Sequence, residues 1–506
     1  MPPPSAPPSP DPASVVAGLQ RSLQAQGFAV TLFETHISWV LLAGAFAYKI
    51  KKPVRFPFLD CSTLQARRHF CEEEVRLNQR LAGDLYIGVV PIHAGVDGPS
   101  FDGDGPVVEV AVKMHRMPPM SLASERIAQG QLTREQLARL AHVLADFHRR
   151  APVAPAGSPY GSPRRIVATV AGLLDSLAPH VSAQQAGTLR QWLRQQAASL
   201  DAPWRQRQAG GHVREGHGDL HLANLIVWRD TVTAFDCIEF DPALRWIDVI
   251  DDTAFAVMDL WAHGRRDLAF GFLNDYLDAS GDHAGLAVLR FYLAARALVR
   301  AWVAALRAAA AATPGPDYLA LALQLLAPCE GRLLITHGLP GSGKSHVTAG
   351  LLAQAGAIRL RSDVERRRLS GPEGRYDPET TERTFAHLAA MARVALRAGF
   401  PTIVDAAFLQ RAERDRMREL ARDEGVPFSI LDCRADMATL RERVAARAER
   451  GDDPSEADLA VLDKLASIQQ PLDATERRLA IELDTGPVLT ADRLAGLTRR
   501  WLERAR

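Results

Sequence analysis

Two stretches of this sequence combine residue types at spacings suited to phosphoryl chemistry. The first, Gly338-Leu339-Pro340-Gly341-Ser342-Gly343-Lys344-Ser345, matches G-x-x-x-x-G-K-S in full. Glycine allows a backbone path whose N–H groups converge on one concavity, as a row of phosphate oxygens requires. The cofactor-binding residues expected here are Gly338, Pro340, Gly341, Ser342, Gly343, Lys344 and Ser345. Lys344 would neutralise the β- and γ-phosphates of ATP and the Ser345 hydroxyl would hold Mg2+, with the dipole of a following helix adding to both. The apolar LLIT before the loop and SHVTAGLLAQA after it read as strand and helix, a context that a chance Gly/Ser turn lacks.

Two carboxylates fall where the ends of parallel strands face a ligand crevice. Asp405 ends the apolar TIVD and is expected to orient Mg2+ or its water, and Asp363 ends IRLRSD and is expected to take the proton of an acceptor hydroxyl. For each, the alternative is a helix N-cap. Further on, Arg441, Arg443, Arg447 and Arg450 lie along one helix that runs into a polar turn. Arg447 and Arg450 are the expected catalytic contributors of a lid over the transferring phosphates, and a solvated helix face explains them almost as well.

The second stretch is His217-Gly218-Asp219-Leu220-His221-Leu222-Ala223-Asn224. A loop that turns back on itself would aim Asp219 at an acceptor hydroxyl while Asn224, five residues on, reaches a metal under the phosphates. His217 is expected to brace the loop. Asp236 follows Asn224 by 12 residues across a short hairpin, so the two can lie side by side with Asp236 as the principal Mg2+ ligand. Lys49, in AFAYKI, would serve the α- and β-phosphates, and Glu74 would pair with it, though Glu72 and Glu73 adjoin Glu74. The plainer alternatives are a capped His/Asp turn, a strand-edge lysine beside Lys51 and Lys52, and a solvated helix face.

The elements that must hold these groups follow from pattern. ISWVLLAG and AFAYKI read as strands joined at Gly44, a helix follows over about 63–81, and strands follow at about 86–92 and 107–114. Helices are expected at about 134–150, 163–177 and 183–200, then the hairpin of LIVW and TVTAFD, then helices at 247–262, 267–279 and 283–311. From Arg332, short apolar strands alternate with long helices, which reads as a parallel sheet covered on both faces.

Composition sets the bounds. At 506 residues the chain needs more than one core. Lys plus Arg number 60 against 59 Asp plus Glu, a net charge of +1 that gives no support to a surface tracking nucleic acid. Only six basic residues are lysines: Lys49, Lys51, Lys52, Lys113, Lys344 and Lys464. Five scattered cysteines without a CxxC pair suit a reducing compartment. No secretion signal or membrane span is read, so a cytoplasmic location without membrane contact is expected.

The segment from about Arg332 onward resembles the small P-loop kinases of the adenylate kinase, gluconate kinase and zeta-toxin type in the order of its features: phosphate loop, Asp363, the DAAF strand end, an Arg-bearing lid. That resemblance implies transfer of the ATP γ-phosphoryl group to a small hydroxylated acceptor. The region from about Phe33 to Leu306 resembles the aminoglycoside phosphotransferase family, the small-molecule branch of the protein-kinase fold. The resemblance rests on H-G-D-L-H-x-x-N with Gly218 and His221, on Phe46-Ala47-Tyr48-Lys49 in the shape of V-A-I-K, and on Glu239-Phe240-Asp241-Pro242 followed by Ile247-Asp248. It gives Asp248 the role of anchoring the loop backbone. Two departures stand out: Gly44 is all that remains of a glycine-rich loop before Lys49, and Asp236-Cys237-Ile238 lacks the glycine of D-F-G.

Together the two parts are similar to a bacterial two-domain architecture in which a phosphotransferase-like domain precedes an AAA-family, kinase-like ATP-binding domain. The expected fold is multidomain. A Pro/Ser-rich disordered tail spans 1–28. An α+β protein-kinase-like bilobal domain spans 29–308, with its small lobe at about 29–118 and its helical lobe at 119–308. A linker spans 309–330, and an α/β P-loop domain spans 331–506. The expected function is ATP- and Mg2+-dependent phosphoryl transfer to a small-molecule hydroxyl at two nucleotide sites. The alternative is a nucleotide-gated regulatory or binding ATPase in which one domain is not catalytic.

Overall fold

The computed structural model describes residues 11–56, 59–307, 315–370, 377–450 and 458–504, with the backbone alone at 307 and 447–450. The chain forms two compact units. The first runs to Leu132 and adds Phe147–Gly161 and Gly211–Asp252; the second takes Thr133–Asp146, Ser162–Gly210 and the chain from Thr253 on.

The first unit is built on an antiparallel sheet in the order Val30–Glu34, Ser38–Ala43, Phe46–Lys51, Val107–His115, Tyr86–His93. Alternation along the strands sorts the side chains. Trp39, Leu41, Ala43, Tyr48 and Ile50 bury against one face. The other face carries Ala47, Val110, Val112 and Met114 against the Leu64–Ala82 helix. Lys49 and Lys51 share that second face with Ala47, and the pairing of Lys49 with Val40 fixes the register.

The expected tail ends earlier than residue 28. Pro12–Ala25 is a helix capped by Asp11, whose carboxylate accepts the Ser14 N–H at 3.2 Å. Val15, Val16, Leu19 and Leu23 make one apolar stripe that covers the sheet face of Trp39 and Leu41. Pro and Ser dominate only before this stripe, so the composition of the first dozen residues did not extend to it.

In the second unit a parallel sheet runs in the order Ile358–Arg361, Pro401–Asp405, Arg332–His337, Phe428–Arg434, Ala480–Asp484. Leu334, Ile403, Leu431 and Leu483 pack under the Lys344–Ala355 and Ala491–Leu502 helices, with Leu351 and Trp501 at the centre of that layer. The Pro378–Arg397 and Arg411–Asp423 helices belong to the opposite layer. The helices from Thr253 to Leu326 belong to this same unit. Within the expected linker, Tyr318–Leu326 is a helix that buries Leu321, Ala322 and Leu325, and 308–314 lie outside the described residues. Among the described residues no helix is long and apolar enough to cross a membrane.

Candidate functional site

The first group of predicted residues meets at Glu74, which the Leu64–Ala82 helix buries completely. Lys49 Nζ is 2.8 Å from Glu74 Oε1 and donates to Asp236 Oδ1 at 2.5 Å. Burial works against the charge on Lys49, but Asp236, Glu74 and Glu239 outweigh it and hold the ammonium well above the ordinary lysine range. Burial alone would raise the Glu74 carboxyl; Lys49 and Lys51 hold it at about 2. Lys51, which sequence reasoning passed over, takes the other Glu74 oxygen at 2.7 Å and Glu239 Oε1 at 2.5 Å. Its position two residues beyond Lys49, hence on the same strand face, was the available signal.

The Asp219 loop is held from within. Asn224 Nδ2 donates to Asp219 Oδ2 at 2.8 Å and to its carbonyl at 3.0 Å. His221 Nδ1 accepts the Ala223 N–H, which leaves Nε2 as the protonated nitrogen, 3.3 Å from Asp219 Oδ2. Burial lowers the His217 pKa; its Nε2 donates to the Phe235 carbonyl at 2.9 Å and its Nδ1 accepts the Asp219 N–H at 3.3 Å. The hairpin of Leu225–Trp228 and Thr231–Ala234 closes with Phe235 N–H donating to Asn224 O, which lays the Asp236 segment beside the loop. Asp236 itself has φ +61°, a costly region for a residue with a side chain. Two contacts hold it there: the Tyr86 hydroxyl accepts its N–H at 3.3 Å, and Asn78 Oδ1 accepts the next N–H at 2.9 Å.

At the head of the loop the backbone is anchored by Asp252, where Asp248 was expected. Asp252 Oδ2 accepts from His217 N at 2.7 Å and Oδ1 from Gly218 N at 2.9 Å, with His148 Nε2 3.2 Å away. Asp248 Oδ1 instead accepts the Ile250 N–H at the start of the following helix. Gly218 has φ +88°, and a Cβ there would lie 2.5 Å from the Leu244 carbonyl, so this position requires glycine. Burial pushes the Asp252 carboxyl up, yet the histidine partners and the His217 N–H hold it at about 2. We expect Asp252→Asn to cost roughly 2–4 kcal/mol. Because the folded pKa lies below the ordinary 3.8, the contribution is present above that pH and lost as pH falls towards about 2. Urea midpoints of wild type and variant should therefore converge over that range.

The second group surrounds a cavity of about 610 Å3 lined by Gly341, Gly343, Lys344, Ser345, Asp363 and Asp405, among others. The loop leaves the Arg332–His337 strand and enters the Lys344–Ala355 helix, with Gly338, Gly341 and Gly343 all at positive φ. A Cβ on Gly338 would come within 2.5 Å of the Cys433 carbonyl. Lys344 Nζ lies over the loop, donating to Gly338 O and Leu339 O at 2.9 Å each. Pro340 also lines this cavity, whereas Gly338 and Ser342 line a neighbouring one of about 440 Å3. Asp405 closes its strand and accepts from Thr348 Oγ1 at 3.0 Å. Asp363 lies in the first turn of the Ser362–Ser370 helix, two residues past the strand end.

Among the helix arginines, Arg443 reaches the phosphate loop. It donates to Gly341 O at 3.3 Å and to Thr485 O at 2.7 Å, while Arg441 pairs with Asp463. The side chains of Arg447 and Arg450 lie outside the described residues. Sequence reasoning also missed Arg414. This buried guanidinium is paired to Glu476 at 2.6 Å and donates to the Phe408 and Leu409 carbonyls, which fixes the loop after Asp405. Among the described residues no group of three or more His, Cys, Asp and Glu side chains forms a metal cage.

A kinase-like α+β domain bearing the Asp219 loop and an α/β P-loop domain define a two-domain protein of the phosphotransfer class. The phosphotransferase enzyme family matches residues 63–292 and the AAA domain matches residues 333–472. The chain is 30% identical over 463 residues to the Mycobacterium tuberculosis protein Rv2004c and to Mycobacterium bovis Mb2027c, covering 88% of this chain and 91% of each relative. It belongs to that family of bacterial two-domain proteins, in which a phosphotransferase domain is joined to a P-loop ATP-binding domain. Among solved structures, a Plasmodium vivax ethanolamine kinase aligns at TM-score 0.37 and 11% identity, over 60% of this chain and 81% of its own. A Sinorhizobium meliloti gluconokinase aligns at 0.27 and 19%, over 35% and 96%.

Proposed function

We propose that the chain is a small-molecule kinase that moves the γ-phosphoryl group of ATP to acceptor hydroxyls at two separate sites, one in a kinase-like domain at 29–308 and one in a P-loop domain at 331–506. The observation that carries the reading is the meeting of Lys49, Glu74 and Asp236 beside a loop in which Asn224 holds Asp219. In this reading Asp219 takes the acceptor proton as the hydroxyl oxygen bonds to the γ-phosphorus and the bond to the ADP oxygen breaks. Lys49, oriented by Glu74, serves the α- and β-phosphates. At the second site the loop N–H groups and Lys344 hold the phosphates, Asp363 takes the proton, and Arg447 and Arg450 close over the transferring group. Each site works by alignment and by charge placed in advance.

Mg2+ suits the donors at both sites. Asp236 and Asn224 offer hard oxygens at one, Ser345 and Asp405 at the other, and one or two such groups plus phosphate oxygens are what this ion takes. Bound there, it would neutralise phosphate charge. The acceptor is a small hydroxylated molecule, of the kind handled by gluconate kinase-like and related enzymes, and the protein works in the cytoplasm without nucleic acid or membrane.

The test is transfer from γ-labelled ATP with Mg2+ into a fractionated metabolite extract, with Asp219→Ala and Lys344→Ala beside the wild type. Two labelled products, each lost in one variant, are expected. A second reading, a nucleotide-gated regulatory ATPase, draws on the two-residue Gly44–Ala45 turn, which leaves no glycine-rich cover over phosphates. Label recovered only as inorganic phosphate would favour it.

A further inference from the structure

We propose that the Arg266–Ser280 helix, which falls within the span matched to the phosphotransferase family, is a working part of the phosphate-loop site: its Asn274 and Asp278 are positioning residues for Arg361 and Asp363. The proposal rests on the reading of the 610 Å3 cavity as the place where an acceptor is held.

The Ile358–Arg361 strand is the edge of its sheet, bonded on one side to Pro401–Asp405. An edge strand presents a row of N–H and C=O groups that need partners. Asn274, buried at 2% exposure, supplies them: Nδ2 donates to Ala357 O at 2.9 Å and Oδ1 accepts from Arg359 N at 2.7 Å. The side-chain amide thus stands in for a neighbouring strand residue. Four residues further along the helix, Asp278 Oδ2 lies 3.7 Å from Arg361 Nη1. The spacings agree, because four helical residues advance about 6 Å and two strand residues about 6.6 Å. The helix therefore touches the strand at two matched points, Asn274 on Arg359 and Asp278 on Arg361.

What is held there matters to the cavity. Arg361, Ser362 and Asp363 line it directly. Arg359 Nη1 donates to the Ser345 carbonyl at 3.1 Å, so the same strand also touches the first turn of the phosphate-loop helix. Arg368, on the helix that carries Asp363, donates to the Asp278 carbonyl. A shift of the strand would displace the acid-base candidate and the cavity arginine together, while the loop glycines lie on a separate segment after the Arg332–His337 strand.

The test uses the full chain with Asp278→Asn, Asp278→Glu and Asn274→Leu. For the product that requires Lys344, Asp278→Asn should raise the acceptor KM about tenfold and lower kcat about tenfold, with the KM for ATP within about twofold. Asp278→Glu should recover most of that loss. In Asn274→Leu, amide hydrogen exchange over 358–363 should quicken about tenfold with no change in the Pro401–Asp405 strand. An unchanged acceptor KM, or a rise shared equally by acceptor and ATP, would overturn the proposal. Failure of the kinase reading looks different: no Lys344-dependent product forms with any variant or with the wild type. In that event the exchange measurement decides alone, and unchanged exchange over 358–363 removes Asn274 from any positioning role.

Discussion

Lys344→Ala is expected to abolish the product of the P-loop domain, lowering its rate by at least about 10²–10³-fold, the loss typical of removing one preorganised charge from a developing anion. The ammonium lies 2.9 Å from two loop carbonyls, so it is already seated within the concavity that the glycines form. Alanine leaves the loop N–H groups but removes the only cation contributed by the loop itself. Lys344→Arg should rescue little, because a planar guanidinium cannot occupy the space of a compact point charge between those carbonyls. Initial rates of the labelled product, with calorimetric binding of a non-hydrolysable ATP analogue, check this. A variant that keeps full rate would remove the phosphate loop from the chemistry.

Asp219→Asn should lower transfer in the kinase-like domain about 10²–10⁴-fold, the range associated with loss of a positioned general base. The substitution is mild structurally. An amide keeps an oxygen for Asn224 Nδ2 and His221 Nε2, both of which face Asp219 Oδ2. Nucleotide affinity should stay within about twofold, since Lys49, Glu74 and Asp236 are untouched. The readout is kcat with a separate Kd for ATP. A parallel fall in both would point to collapse of the loop and away from proton transfer. The Lys344 and Asp219 variants address different products, so their combination should behave as the sum of the singles.

Much of the site could be read directly, and the misses have specific causes. Three glutamates in a row precede the choice of Glu74. Helix phase settles it, because Arg67, Cys71, Glu74, Asn78 and Ala82 form the buried stripe while Glu72 and Glu73 point elsewhere. That stripe was visible in the residue spacing. Asp252 was not so accessible: the anchor is chosen by which carboxylate comes within reach of the His217 and Gly218 N–H groups, and Asp248 differs from it by only one helical turn. The contact of Arg443 with Gly341 and Thr485 was out of reach for a similar reason, since it depends on where two distant segments converge.

By itself the sequence determined the chemistry classes: a phosphate-loop motif, an Asp219 to Asn224 to Asp236 series, and a lysine, Lys49, on a strand before them. These are local, set by fixed spacings along a loop, a strand or a hairpin, and short-range geometry follows from bond lengths and periodicity. Only the tertiary structure decided that Lys51 and Glu239 join Lys49 and Glu74 in one buried charge network. Only it decided that Asp252 anchors the loop, and that an asparagine 85 residues before Arg359 completes the edge of the parallel sheet. Those pairings join residues far apart in the chain, and what selects them is packing of whole faces, which no window of sequence contains.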